Sequence, residues 1–517
     1  LDFSPYTHPT VAFPCLIVMA FGKLSLECLV LVFLCFQSVI RCNEIENRGR
    51  GEGRENPYIY KKEEHERRLG TDRGEVRAVP IFRQSQLLAR DLRHYEVNCF
   101  HIEPNSFMLP HASSADHLMF IKQGKATVGW VYGEKSREEK LEKGSVCFIP
   151  AGAIFYVINT EQSQGLVALN LLYNKNPYPE RHHESFYIGG GRNPPSALSA
   201  FRTETLEAAF NTERGRVERL LSKQDEGAFA RFSQERGRKL ISLMKENHGN
   251  QFVFWKSKSQ GEEEDYKPFN LEKKKPRFRN DNGQLIFGDD EDLVKGPLQR
   301  LDIGISLTRI QPNAMSAPYS QSQATEIGCV LRGQGRVEII SPEGAQQQRR
   351  REGGGGEREW ERGREEEEGG SSRGREEEEG GSSRGREEGG SPRGRGRGGG
   401  GGGEQFRLSY HREESELQSG DCFVNPAGHM AVQIASPQSQ EPFELVFFTI
   451  NDNKRNRIIF YAGKNSELRE MRNDVLAASF KEREDEVKKV FESQNDQIFL
   501  NGPSGRGSRD TGEWNIL

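Results

Sequence analysis

Net charge is almost missing from this chain. Its 73 lysines and arginines stand against 77 aspartates and glutamates, which leaves −4 over 517 residues. No global field is available to recruit a nucleic acid or an acidic membrane. Long hydrophobic runs are missing as well. The apolar stretch Cys28–Phe36 is shorter than the roughly 20 residues a membrane span needs. Cysteine is sparse and carries no Cys-x-x-Cys pattern. Cys15, Cys28, Cys35 and Cys42 fall near the N-terminus, and Cys99, Cys147, Cys329 and Cys422 are widely separated. Such spacing excludes a small disulfide scaffold. Each of the latter four sits in an apolar, strand-like stretch, so each is expected to be a buried free thiol. There is no Asn-x-Ser/Thr sequon, and Gly-x-Ser-x-Gly occurs only at 370–374 and 381–385, inside a low-complexity repeat that lacks the apolar strand and helix of a nucleophile elbow.

The residues that are present divide the chain. Met19 is the first methionine, followed by Lys23, the apolar run and a polar segment after Cys42. That order reads as a secretory signal peptide over residues 19–42, with 1–18 as upstream translation. Residues 43–75 form a charged N-terminal segment. Short alternating apolar runs separated by Gly, Pro or Asn, such as Tyr95–Ile102 and Thr127–Tyr132, then predict a β-sandwich or barrel. This first unit covers 76–245 and ends in helical patterns. A charged linker spans 246–282, a second unit 283–500, and a tail 501–517.

The second unit repeats the first. Ile102-Glu103-Pro104-Asn105 recurs as Ile310-Gln311-Pro312-Asn313, and Pro110-His111 as Pro318-Tyr319. Ile121-Lys122-Gln123-Gly124 recurs as Val330-Leu331-Arg332-Gly333. Pro150-Ala151-Gly152 recurs in Pro426-Ala427-Gly428-His429. The helical ends align without a gap. Leu206, Phe210, Val217 and Leu221 match Leu476, Phe480, Val487 and Phe491, a spacing that makes one helical face. Such a stripe must be covered, either by its own barrel or by another subunit. Two similar tails in one chain could close a ring of subunits by head-to-tail contacts, so these eight residues are candidate subunit contacts.

Residues 344–405 interrupt the second unit with a low-complexity insertion. Arg362–Ser372 reads RGREEEEGGSS and recurs at Arg373–Ser383. Its composition predicts disorder. From Arg349 to Glu404 there are thirteen arginines and fifteen glutamates, so the RGRGRGG stretch lacks the excess positive charge of a nucleic-acid-binding segment. His182 and His183 lie in a charged, proline-bearing loop and are read as solvated. Cys147 and Cys422 differ by one position relative to Pro-Ala-Gly, so they are expected on opposite faces of their strands.

The repeated frame resembles the cupin superfamily. Catalytic cupins carry three histidines and one glutamate, a set that suits manganese or iron. Here the ligand positions hold His111, Ser113, His117 and Phe155 in the first unit. In the second they hold Ser320, Ser322, Glu326 and Ala431. Neither set is complete, which argues against a metal-dependent cupin oxidoreductase.

The combination of two such units, helical tails, a secretory signal and an arginine–glutamate insertion resembles the vicilin-type 7S seed storage globulins. LEAAFNT at Leu206–Thr212 adds to that resemblance. It implies a mainly β fold of two cupin (jelly-roll) barrels in tandem, each followed by a helical extension. It also implies a homotrimer in the protein storage vacuoles of seeds. The function implied is that of a nutrient reservoir without catalytic residue or cofactor, mobilised by proteases at germination and recognised by IgE as an allergen. Some vicilin-like proteins hold copper on a Cys-x-His strand and a histidine after Pro-x-Gly. Cys329 and His429 match two of those positions, Leu331 replaces the third, and Tyr58 or Tyr60 is a candidate substitute. A small-molecule or copper-binding bicupin is thus the alternative reading.

Overall fold

The computed structural model describes residues 56–80, 88, 92–133, 135–177, 183–213, 215–232, 267–288, 301–342, 409–453 and 455–503. The expected signal peptide, the upstream segment, residues 343–408 and the end of the chain lie outside them. Among the described residues, no helix is long and apolar enough to cross a membrane.

The N-terminal segment contributes β1 (Ile59–Tyr60), β2 (Glu66–Thr71) and β3 (Gly74–Ala78). The first unit continues with β4 (Tyr95–Ile102), β5 (Ser106–Ser113), β6 (Asp116–Gln123), β7 (Lys125–Tyr132) and β8 (Lys135–Glu142). It is completed by β9 (Ser145–Ile149), β10 (Ile154–Asn159), β11 (Leu166–Tyr173) and β12 (Ser185–Tyr187). Helices α1 (Thr203–Phe210) and α2 (Arg216–Leu221) and strand β13 (Phe229–Arg231) follow. The second unit opens with β14 (Phe269–Asn270), β15 (Phe278–Asn280), β16 (Gly283–Phe287) and β17 (Ile303–Ile310). It runs on through β18 (Ala314–Ser316), β19 (Tyr319–Gln321), β20 (Thr325–Arg332), β21 (Gln334–Pro342) and β22 (Tyr410–Gln418). Strands β23 (Cys422–Asn425), β24 (Met430–Ala435), β25 (Phe443–Ile450) and β26 (Ile458–Phe460) come next. It ends with α3 (Asn473–Phe480), α4 (Glu484–Phe491) and β27 (Phe499–Asn501).

Each unit is an antiparallel jelly roll of two sheets. In barrel 1 the order β14-β9-β6-β11-β4-β3-β2 faces β12-β5-β10-β7-β8, with β13 beside β5. In barrel 2, β1-β23-β20-β25-β17-β16-β15 faces β22-β21-β24-β18-β27. The repeated motifs sit at equivalent corners. Asn105 and Asn313, the last residues of the Ile-x-Pro-Asn repeats, are both left-handed, a conformation asparagine tolerates. Gly152 and Gly428 of Pro-Ala-Gly also have positive φ, which sets the turn between β9 and β10 and between β23 and β24.

The two barrels exchange strands. β1 precedes barrel 1 but pairs with β23 of barrel 2, Tyr60 opposite Cys422. β14 precedes barrel 2 but pairs with β9 of barrel 1, Phe269 opposite Val146. The segments read as a charged N-terminus and a linker are therefore partly structural, and the first folded unit begins before residue 76. Each covers an edge of the other barrel, which removes two unpaired strand edges. Glu272, just after β14, pairs with Lys143 of barrel 1 and Arg309 of barrel 2, at 3.1 and 3.2 Å.

Alternation along each strand separates two cores. In barrel 1, Phe100, Ile102, Met119, Ile121 and Cys147 face inward with Trp130 and Phe155. Tyr95, Val97, Leu118, Phe120, Val146 and Leu169 face outward. They join one buried cluster with Ile303, Ile305, Ile327, Cys329 and Cys422 of barrel 2. The outer sheet faces thus form an apolar seam, which is why their strands are apolar on both sides.

Candidate functional site

Barrel 1 brings His111, His117 and His183 near one end, but an aromatic ring stands among them. Phe155 on β10 lies 4.2 Å from the His111 ring and 4.9 Å from the His117 ring, centroid to centroid. His111 Nδ1 donates to the Leu109 carbonyl at 2.9 Å. Burial holds the His111 pKa down at about 4, so the ring is neutral. Asn170 Nδ2 donates to His117 Nδ1 at 2.9 Å. His183, expected in a solvated loop, instead closes on the barrel: its Nδ1 is 3.9 Å from Glu96 Oε1. Arg68 approaches the other oxygen of Glu96 at 3.4 Å. Burial raises the Glu96 pKa, against the opposing effect of Arg68. Nothing local to His183 marks it, because its partner Glu96 lies on β4, far off in sequence.

Barrel 2 builds a different interior. Glu326 on β20 is buried and accepts from Tyr319 Oη and Gln321 Nε2, both at 2.7 Å, and from Asn425 Nδ2 at 3.3 Å. Gln433 Nε2 donates to Tyr319 Oη at 3.3 Å. Desolvation raises the Glu326 pKa, and the three donors oppose that shift. The residues beside Glu326 are thus Tyr319 and Gln321, not Ser320 and Ser322 as the sequence alignment had placed them. Ser320 Oγ lies 3.0 Å from Tyr461 Oη, and Ser322 Oγ accepts from the Arg457 amide. The alignment error is one residue, and one residue turns a strand side chain to the other face. A carboxylate surrounded by a phenol and two amides lacks the imidazoles of a catalytic cupin. Among the described residues no group of three or more His, Cys, Asp or Glu could hold a metal ion.

The copper candidates are corrected outright. Cys329 and Cys422 form a disulfide. They are not free thiols, and Cys329 has no thiolate to offer. Cys99 and Cys147 are free, with Cys147 buried and Cys99 half-buried. His429 does meet Tyr58, whose hydroxyl is 3.5 Å from Nε2. The opposite orientation of Cys147 and Cys422 is as expected: the first lies in the barrel 1 core, the second in the seam. The pairing was partly visible in the repeat. Alignment on the two motifs puts Cys329 over Phe120 and Cys422 over Val146, and those residues are themselves cross-strand partners.

The helical stripe is divided. Leu206 and Val217 are buried, as are Leu476 and Val487, so these four candidate subunit contacts are core residues of the single chain. Leu221 and Phe491 are half-buried. Phe210 and Phe480 remain 56% and 60% exposed. Two further equivalent pairs missed from the pattern are also exposed, Phe201 with Met471 and Leu220 with Val490. They fall off the strict helical face, which is why periodicity did not select them.

Comparison with known proteins places this architecture. The Cupin family model matches residues 92–213 and 269–488, most of each barrel and part of each tail. The chain is 30% identical to the vicilin Pis v 3.0101 of Pistacia vera, over 87% of this chain and 71% of that one. This chain belongs to the vicilin family of seed storage globulins. The vicilin Jug r 6.0101 of Juglans regia is also 30% identical, over 89% of this chain and 81% of its own length. The crystal structure of vicilin from Corylus avellana superimposes with a TM-score of 0.66 and 25% identity, over 87% of this chain and 100% of that one. The vicilin described here is accordingly a storage protein, and its twin barrels serve that role.

Proposed function

We propose that this vicilin is a non-enzymatic nitrogen and carbon reserve, held as a homotrimer in seed protein storage vacuoles and mobilised by proteolysis at germination. The observation that carries the assembly is the exposed apolar row Phe201, Phe210 and Leu220, repeated as Met471, Phe480 and Val490. Each tail offers the same three positions, and among the described residues nothing covers them. Tail 1 of one subunit against tail 2 of the next is a heterologous contact that closes into a ring. Burial of six such side chains per contact excludes water from surface that would otherwise favour aggregation. The incomplete ligand sets of both barrels support a reserve without cofactor or catalytic residue. The arginine–glutamate insertion supplies nitrogen and a polar stretch for the first proteolytic cut. IgE is a further partner in this reading.

Light scattering on the purified chain tests it. A mass three times that of the subunit is expected, and a monomer at micromolar concentration would overturn the assembly. Phe210→Asp with Phe480→Asp should yield a folded monomer.

A further inference from the structure

The disulfide of barrel 2 lies in a row of side chains that runs across its sheet. Tyr60 on β1 stands opposite Cys422 on β23, Cys422 opposite Cys329 on β20, and Cys329 opposite Val446 on β25. Residues directly opposite across antiparallel strands share one face of the sheet, and all four belong to the buried seam cluster. Both cysteines are 1% exposed, and Tyr60 and Val446 are fully buried. β1 is the outermost strand of this sheet. The row therefore ends at Tyr60, whereas beyond Val446 it continues through Leu307 on β17.

Reduction of a disulfide is a displacement at sulfur. The incoming thiolate approaches along the S–S axis, from the side away from the leaving sulfur. For attack at Cys329 that side belongs to β25, where Val446 fills it in the middle of the sheet. For attack at Cys422 it belongs to β1, where Tyr60 fills it. The path from above the sheet is closed by the apolar seam against barrel 1. Of these obstacles, Tyr60 is the one that rests on a two-residue edge strand. That strand is fastened on both sides of Tyr60. The Val424 amide donates to the Tyr58 carbonyl at 2.8 Å, the Lys62 amide donates to Asp421 Oδ1 at 3.0 Å, and Lys61 Nζ pairs with Asp421 Oδ2 at 3.4 Å. Barrel 1 repeats the arrangement without a disulfide. Phe269 on β14 stands opposite Val146, which stands opposite Phe120, and Phe269 is only half-buried. The fully buried ring belongs to the strand that has a disulfide behind it.

We propose that β1 is a strap that bars thiols from Cys329–Cys422, with Tyr60 as the obstructing residue, so that the disulfide is reduced only after β1 lifts from β23. The reductant that fits is a dithiol. With β1 away, one of its thiolates bonds to Cys422 Sγ as the S–S bond breaks, and Cys329 leaves as a thiolate that takes a proton from water. The second thiolate of the reductant then bonds to the first reductant sulfur. Cys422 is released as a thiolate and protonated in turn. Two electrons pass from the dithiol, which becomes a disulfide, to the cystine. Barrel 2, still joined after a cut in its insertion, is thus unlocked from the N-terminal side. The inference is independent of subunit assembly and of the reserve role.

Timed reduction of the full chain by dithiothreitol under native conditions tests it, with the new thiols counted by alkylation and mass spectrometry. Tyr60→Ala should raise the rate at least about tenfold, since local opening of the strap then limits access less. Tyr60→Phe, which keeps the ring, and Phe269→Ala, on the strand that covers barrel 1, should leave it unchanged. A brief pulse of the monothiol glutathione should place its adduct on Cys422. Hydrogen exchange measured alongside should find β25 still protected once Tyr60→Ala is fully reduced. Should Tyr60→Ala fail to fold, Lys61→Met removes only the ion pair to Asp421 and should speed reduction at least about twofold. Equal rates for the unmodified chain and Tyr60→Ala, or for the unmodified chain and Lys61→Met in its place, would overturn the proposal. So would an adduct on Cys329, or loss of β25 protection in step with reduction, which would mean that barrel 2 opens as a whole.

Discussion

Cys329 on β20 and Cys422 on β23 stand directly opposite each other, their Cα atoms 4.1 Å apart, and their disulfide joins residues 93 apart in sequence. The arginine–glutamate insertion lies wholly between them. Barrel 1 places Phe120 and Val146 at the same two positions, so the covalent link is confined to the barrel that carries the insertion. Once the chain is cut between β21 and β22, the strands on either side of the cut remain covalently joined. Limited trypsin digestion should therefore give barrel 2 fragments that migrate together without reductant and separately with it. Replacing both cysteines by valine should lower stability by about 2–5 kcal/mol, as measured by denaturant unfolding.

The strand exchange gives a second expectation. The Val424 amide donates to the Tyr58 carbonyl at 2.8 Å, and Tyr60 is fully buried. Tyr60→Ala should cost about 3–5 kcal/mol, the range for removing a buried aromatic ring. Deleting the chain through residue 61 should remove hydrogen-exchange protection from Val424 in barrel 2, although the deletion lies next to barrel 1 in sequence.

The tails separate folding from assembly. Leu206→Ala or Leu476→Ala removes a buried side chain and should destabilise the subunit by about 2–4 kcal/mol. Leu220→Ser with Val490→Ser alters only exposed positions. That pair should leave subunit folding unchanged, within about 0.5 kcal/mol per site, yet weaken the trimer. Thermal unfolding and light scattering, measured side by side, distinguish the two effects.

The buried imidazole of His111 makes acid stability predictable in sign. Its pKa falls from 6.5 to about 4 on folding, chiefly through burial. The unfolded chain binds the proton first, so this contribution is fully present above pH 6.5 and is lost as pH drops through about 4. Its full size is about 3 kcal/mol. In His111→Gln, the fall in unfolding free energy between these pH values should be shallower by up to one proton. An unchanged slope would mean that the ring is accessible to solvent.

Metal analysis bears on the copper alternative. With Cys329 held in the disulfide, the native protein should contain well under one copper per chain. If stoichiometric copper survives dialysis, His429 and Tyr58 must bind it with some ligand other than Cys329.

Local signals carried far in this chain. Alternating apolar runs, the Pro-Ala-Gly turns and the two Ile-x-Pro-Asn corners established the barrels and their repetition, because turn chemistry and strand alternation are properties of neighbouring residues. The opposition of Cys147 and Cys422 was legible for the same reason. Tertiary structure decided everything that depends on which strands become neighbours. It joined Cys329 to Cys422, brought His183 to Glu96 and set Tyr319, rather than Ser320, beside Glu326. It also decided which half of the helical stripe is core and which remains exposed, since burial is settled by what the helix packs on.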